Sequence, residues 1–230
     1  MQTSLPHCLG FIMDGNRRYA TEQGLPVLEG HRKGAEVLSQ AIEFFAEAGI
    51  PHLVFYAFST ENWQRKPEEV EQLLDLFMHS LDRLEADVDN DTATKFRLRV
   101  IGDLSAFSPE FTTKLQSVID KGAQHTSATT VWIALSYGGR AELITAINQA
   151  ISLGQSVTEQ SFEKLLWTAE LPEPDMIVRT SGEQRLSNFL TWKSVYSELH
   201  FLSTHWPALS KTDFMTILSE YEKRHRRHGR

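Results

Sequence analysis

Short apolar, β-rich runs alternate with stretches of helical period along nearly the whole chain, and this alternation constrains the fold more than any other feature. The runs predict strands at Cys8–Met13, His52–Ser59, Phe96–Ile101, Val131–Tyr137, Asp175–Thr180 and a short Glu198–Phe201. Helical spacing covers His31–Ala48, where Ala35, Leu38, Ile42 and Phe45 recur three to four residues apart. It also covers Pro67–Asp87, with Val70, Leu73, Leu74, Phe77, Leu81 and Leu84 on one stripe. Pro67 suits a first helical position, and the two glutamates after it suit the positive end of the dipole. Further helices are predicted at Pro109–His125, Arg140–Ser152, Thr158–Trp167 and Ser210–His225. Strand alternating with helix implies an α/β fold: one domain over residues 1–230, with a central, mostly parallel six-stranded sheet covered by helices.

The bulk numbers exclude several classes. With 230 residues and 41% hydrophobic side chains the chain can bury a sizeable core. A net charge of −7 argues against a nucleic-acid partner, which selects for a basic face. Cys8 is the only cysteine, so no intrachain disulfide forms, and a reducing compartment is expected. No apolar run approaches the ~18 residues of a membrane span. The start, MQTSLPHCLG, lacks the layout of a signal peptide. These features together predict a soluble, cytoplasmic protein.

In parallel sheets ligands bind beyond the carboxyl ends of the strands. Asp14, Gly15, Asn16, Arg17 and Arg18 follow the first predicted strand, and STENWQR follows the second. Gly102-Asp103 follows the third, YGGR the fourth and RTSGEQRLSN the fifth. Donors therefore gather where a site belongs: Asn16, Arg17, Arg18, Asn62, Arg65, Arg140, Arg179, Arg185, Ser187 and Asn188. Arginine forks fit phosphate oxygens, and glycines let backbone N–H groups approach an anion. The few acids read at this edge, Asp14, Glu61, Glu183, Glu198 and Asp103, suit magnesium, which takes one or two carboxylates plus phosphate oxygens. The edge reads as a diphosphate and magnesium site, with arginines enough for two diphosphates. Plainer readings stand beside this one. Asp14–Arg18 also fits a salt bridge at a helix start, His31 a structural histidine, Ser59 a turn cap, and Trp63 and Trp132 core packing.

Other motifs are absent. There is no G-x-G-x-x-G after the first strand, no G-x-x-x-x-G-K-[ST], no G-x-S-x-G and no zinc-spaced Cys/His cluster. Asp87–Asp91 resembles a calcium loop but lacks its sixth-position glycine and ends on Leu98, so it reads as a solvated loop. The Pro67–Asp87 helix and the runs HLVFYAF and VWIAL are rich in large side chains. Ordinary core is the simpler reading, but beside a diphosphate site they also suit a cleft for a hydrocarbon tail.

The blocks FIMDGNRRYA, GHRKGA, YAFSTENWQR, RVIGD, SYGGR, DMIVRTSGEQRLSNFL and YSELHF resemble, in order and spacing, those of the cis-prenyltransferases. That family includes undecaprenyl and dehydrodolichyl diphosphate synthases. The resemblance runs from about His7 to Gly229. It implies an enzyme, commonly a homodimer, that adds isopentenyl diphosphate to an allylic diphosphate with magnesium and makes a cis double bond. It implies that Asp14 holds magnesium and assists departure of the allylic diphosphate. Gly15, Asn16, Arg17 and Arg18 would bind that diphosphate, with His31, Trp63 and Arg65 nearby. Ser59 and Asn62 would join a hydrogen-bond network at the reacting carbons. Arg179, Arg185 and Ser187 would grip isopentenyl diphosphate. Glu198 would complete the magnesium site across the dimer, where Arg227 and Gly229 of the tail would also reach. The product would serve as a lipid carrier for cell-wall or glycan synthesis, released at a peripheral membrane contact.

Some positions depart from the family pattern. Val27 stands where an arginine is common, Arg17-Arg18-Tyr19 replaces a common G-R-W, and Gln184 replaces a histidine. The alternative is a non-catalytic partner subunit, but such subunits tend to lose the metal and substrate residues that this chain keeps. Ala57 suits an open tunnel, whereas Trp132 is a candidate to shorten it.

Overall fold

The computed structural model describes residues 5–89, 96–124, 128–154 and 156–224. One sheet organises them. Strands β1 (Cys8–Ile12), β2 (His52–Tyr56), β3 (Phe96–Ile101), β4 (Thr129–Ala134), β5 (Met176–Arg179) and β6 (Glu198–Phe201) lie in the order β3-β4-β2-β1-β5-β6. Every pairing is parallel, so the expected mostly parallel sheet is wholly parallel. Helices α1 (Asn16–Glu22), α2 (Val27–Glu47), α3 (Pro67–Asp89), α4 (Pro109–Gly122), α5 (Gly139–Ser152), α6 (Glu159–Glu163) and α7 (Lys211–Glu222) complete the fold.

Burial follows position in the sheet. Central β1 is buried at every residue, as a strand covered on both faces must be. Edge strand β6 is only half-buried and carries Glu198 and His200, and edge strand β3 carries Arg97 and Arg99. Charged edges discourage further strand pairing. Alternation sorts side chains to two cores. Leu9, Phe11, Leu53 and Phe55 pack with Phe45 of α2 and Phe214 of α7. Cys8, Ile12, Val54 and Trp132 pack on the other face with Ile177 and Phe189. A third cluster joins Leu73 and Leu81 of α3 to Phe111 and Leu115 of α4.

Several predicted boundaries move, each for a local reason. Helix α1 is additional to the expected elements: its seven residues are too few to show a period, and a left-handed glycine, Gly15 at φ +107°, precedes it. Helix α2 starts at Val27 rather than His31, with Pro26 leading in. Strand β2 ends at Tyr56 and β4 at Ala134, short of the predicted Ser59 and Tyr137. There Ala57 and Phe58 both donate to the Ala134 carbonyl, and Ser136 turns left-handed at φ +46°. Helix α6 gives way at Glu163 to turns held by bonds such as Leu166 N–H to Glu163 O at 3.2 Å. Helix α3 runs on to Asp89, through the first half of the Asp87–Asp91 stretch, whose last two residues lie outside the described ones. The predicted ends at His125 and His225, and the tail residues Arg227 and Gly229, also lie outside them.

Candidate active site

The chain leaves β1 toward β2 on one side and returns to β5 on the other, so the sheet changes direction at β1. Ligands bind beyond the carboxyl ends of strands at such a point. The register pairs Ile12 with Arg179, which puts the loop after β1 beside the end of β5. Asp14 is held from both sides there. Arg179 Nη2 lies 2.9 Å from Asp14 Oδ2, and Arg18 Nη2 lies 3.0 Å from Oδ1. Burial alone would raise the Asp14 carboxyl. Hydrogen bonds from Arg179 and Arg18 outweigh it and hold the group below the usual carboxylate range. The Asp14 carbonyl accepts from Thr180 Oγ1 at 2.6 Å and from Trp206 N–H at 3.0 Å, which fixes the end of β1.

Arg179 is 4% exposed, and its Nη1 donates to the Arg185 carbonyl and to Ser187 Oγ at 2.7 Å. Ser187 and Asn188 are both left-handed, at φ +47° and +66°. Asn188 accepts from Arg140 N–H at 2.8 Å and donates to Glu61 at 2.9 Å, tying the β5 loop to the start of α5 and to the turn Thr60–Gln64. Arg185 is exposed and pairs with Glu183, while Glu183 also meets Arg18 at 3.2 Å.

Helix α1 lies close against α2 because Gly30 and Gly34 have no side chains. A Cβ at Gly30 would meet the Asn16 carbonyl oxygen at 2.2 Å, and one at Gly34 would meet Asn16 Oδ1 at 2.3 Å. This contact sets Asn16 and Arg18 at the mouth of a cavity of about 570 Å³. Asp14, Gly15, Asn16, Arg17, Arg18, Glu22, His31 and Arg65 line it. Arg65 pairs with Glu69 at 3.1 Å. The His31 imidazole is pushed down to about 4, first by burial and then by Arg65, against an upward pull from Glu69. It is a neutral ring at physiological pH, and its buried Nε2 has no partner; neither has Asn16 Oδ1. Orphaned buried polar atoms at a cavity mark a place where a ligand completes the hydrogen bonding.

A second cavity of about 420 Å³ shares Met13, Asn16 and His31 with the first. Its walls are mostly apolar: Leu38 and Ile42 of α2, Leu73, Phe77, Leu81 and Leu84 of α3, with Leu98, Val131, Ile133 and Leu135 from the sheet side; Ser39, Glu43, Ser80 and Arg83 also line it. Ala57 lines it as expected of an open tunnel. Trp132 does not: Val131 and Ile133 face the cavity, and the residue between them faces the other way. Its Nε1 donates to His52 Nδ1 at 3.3 Å beneath the Arg99 guanidinium. The expectation that Trp132 shortens a tunnel is thereby overturned.

Not every expected residue reaches the cavities. Asn62 Oδ1 accepts from Ser59 N–H at 2.9 Å, and both stay at the end of β2. Trp63 packs on Phe58 and Phe107 and donates to Ser136 Oγ at 2.9 Å, and it lines neither cavity. Glu198 pairs with Met176 at the start of β6, three residues from the level of Arg179, or roughly 10 Å along the strands. Within one chain it bonds Arg224 at 2.7 Å and stays away from Asp14. Among the described residues no three His, Cys, Asp or Glu side chains form a metal cluster. Asp14 by itself still fits magnesium: each oxygen keeps a lone pair beyond its arginine bond, and phosphate oxygens supply the remaining ligands. Glu22 lines the first cavity, Thr180 bonds the Asp14 carbonyl, and Ser181 and His205 lie against Gly15; of these the sequence places only Thr180 and Ser181 at this edge, within RTSGEQRLSN. His205 sits after β6, and nothing local marks it as a neighbour of Gly15.

The chain is similar to known proteins over nearly its whole length. The undecaprenyl diphosphate synthase family model matches residues 12–229. The chain is 41% identical to an isoprenyl transferase of Thermotoga maritima, covering 98% of this chain and 97% of that one. It is 39% identical to a tritrans,polycis-undecaprenyl-diphosphate synthase (geranylgeranyl-diphosphate specific) of Thermoplasma volcanium, covering 98% and 89%. The crystal structure of lavandulyl diphosphate synthase from Lavandula x intermedia, in complex with dimethylallyl diphosphate, superposes with a TM-score of 0.89 at 28% identity over 98% of this chain and 99% of that one. The chain therefore belongs to the undecaprenyl diphosphate synthase family of prenyl-transferring enzymes.

Proposed function

We propose that this enzyme condenses isopentenyl diphosphate with an allylic diphosphate, farnesyl or geranyl, to give a Z-polyprenyl diphosphate. One observation carries the reading: an arginine-lined cavity at Asp14–Arg18 adjoins a mostly apolar cavity, the two sharing Met13, Asn16 and His31 in their walls. A diphosphate head and a hydrocarbon tail need that pairing. In the reaction the allylic C–O bond breaks and its electrons leave with the diphosphate. The isopentenyl double bond supplies the new C–C bond, and a proton then leaves the adjacent carbon. Arg18 would donate to the departing head, as would the unpartnered His31 Nε2 in the tautomer that carries its proton there, and such donors count most as the charge grows. Arg179 and Ser187, with Arg185 beside them, suit the second diphosphate. The apolar walls shelter the electron-poor allylic carbon from water. Asp14 would hold magnesium, which supplies Lewis-acid neutralisation of the leaving group.

The same reading takes the protein as a homodimer. Glu198 lies far from Asp14 within one chain, so a partner copy is the natural source of a second acid. Exposed Ile144, Ile147 and Ile151 along α5 offer an apolar face for pairing. The product suits a lipid carrier for cell-wall or glycan synthesis, handed over from the cytoplasm at a membrane surface; no described helix is long and apolar enough to cross one. Purified protein with magnesium and labelled isopentenyl diphosphate, tested with dimethylallyl, geranyl, farnesyl and geranylgeranyl primers beside Asp14→Ala, decides the matter. Chain extension by wild type and none by the variant is expected. No extension with any primer would overturn the reading in favour of a non-catalytic partner subunit.

A further inference from the structure

We infer that His205 is a positioning residue for the diphosphate cradle and acts through Ser181, an inference that rests on the function proposed above. His205 Nδ1 lies 2.6 Å from Ser181 Oγ, and Nε2 lies 3.0 Å from Glu22 Oε1. A carboxylate only accepts, so Nε2 carries a proton toward Glu22 and the Ser181 hydroxyl can donate to Nδ1. The imidazole thus ties the last residue of α1 to the turn that leaves β5. It makes no side-chain cap for the 3₁₀ turn Trp206–Ala208 that it precedes.

What the imidazole holds is the geometry of Arg18. Ser181 is left-handed, at φ +75°, a conformation that serine seldom adopts and that its surroundings must enforce. Its N–H donates to the Thr204 carbonyl at 2.9 Å, and its hydroxyl is fixed by His205. Its own carbonyl accepts from Arg18 Nη1 at 3.1 Å, while Arg18 Nη2 reaches Asp14 at 3.0 Å. Turning the Ser181 peptide therefore re-aims the guanidinium that faces the allylic head. The pair also walls Gly15: a Cβ there would lie 2.7 Å from His205 Nδ1 and 2.8 Å from Ser181 Oγ. The Gly15 bend that swings β1 into α1 is moulded on this hydrogen bond. Without the imidazole, Ser181 Oγ is buried without its partner, and Glu22, which lines the same cavity, is released near Arg18.

The test is calorimetric titration of magnesium and inorganic diphosphate into wild type, His205→Ala, His205→Asn, His205→Gln, Ser181→Ala and the Ala/Ala double variant, with KM measured for each substrate. Loss of one positioning hydrogen bond should weaken diphosphate binding and raise the allylic KM about tenfold. The isopentenyl KM should stay within about twofold, since Arg179 and Ser187 keep their own contacts. Asparagine reaches the Nδ1 position and should restore most of the loss; glutamine reaches only Nε2 and should not. Ser181→Ala should match His205→Ala, and the double variant should be no worse than either. Unchanged diphosphate affinity in His205→Ala, equal rescue by asparagine and glutamine, or additive losses would overturn the inference. If His205→Ala does not fold, His205→Asn against His205→Gln and Ser181→Ala still decide it. Failure of wild type to extend any primer would refute the proposed function, while the titrations would still judge the role of His205.

Discussion

Gly30→Ala puts a methyl group 2.2 Å from the Asn16 carbonyl oxygen and 3.0 Å from Ala20 Cβ. An unstrained contact needs ~3.5 Å, so α1 and α2 must part by about 1 Å. Overpacking of that kind costs ~1–3 kcal/mol. Replacing a helical glycine returns ~1 kcal/mol, so the net loss of stability should be about 0–2 kcal/mol. The effect on activity should be larger, because α1 carries Asn16, Arg17 and Arg18, and a misplacement near 1 Å costs ~10²-fold in rate. Gly122→Ala is the matched control. It also sits in a helix, but its Cβ would meet nothing within 4 Å. It should gain a fraction of ~1 kcal/mol and keep full activity. Urea unfolding and prenyl-transfer rates on both variants make the comparison. Gly30→Ala with wild-type stability and a rate within threefold of wild type would refute the view that this helix contact places the cradle.

The His31 imidazole titrates at about 4 in the folded chain, against ~6.5 unfolded. Above pH 6.5 both states are neutral there and the group contributes nothing. As pH falls from 6.5 toward 4 the unfolded state takes up the extra proton, so stability drops. The drop should be about 1–2 kcal/mol by pH 5 and absent in His31→Gln; equal pH dependence of the two urea midpoints would count against it. Ala57→Leu narrows the apolar cavity and should shorten the product, whereas Trp132→Phe, on the opposite face, should leave chain length unchanged; chromatography of the labelled products reports both. Glu142 is 1% exposed and accepts from Tyr137 OH at 2.7 Å and from Thr168 N–H at 2.8 Å. Glu142→Ala should cost about 2–4 kcal/mol, with a loss below 1 kcal/mol in urea unfolding arguing against a network of that worth.

Much of this architecture was legible residue by residue. The runs around Phe11, Val54 and Val178 read as buried strands because β-rich apolar composition is a local property. The gathering of Asp14, Arg18, Arg179 and Ser187 at the carboxyl edge followed from strand order alone, since parallel strands all point the same way. Element ends were less legible where backbone geometry overrode composition, as at Ser136, where a left-handed residue ends β4. Helix α1 is not legible in the sequence because its seven residues carry no readable period.

What a chain determines by itself is whatever depends on near neighbours: strand against helix, apolar against polar, and which loops carry donors. Only tertiary structure decided which of those loops meet. Ile12 stands opposite Arg179 through inter-strand register, which rests on side chains more than 160 residues apart packing together, and that register alone pairs Arg179 with Asp14. Register and pleat likewise turned Trp132 away from the cavity that Val131 and Ile133 line. Glu198 was left at the far end of β6 for the same reason, and His205 was brought against Gly15 and Ser181. Local periodicity has no term for contacts between distant segments, so no window of the sequence contains them.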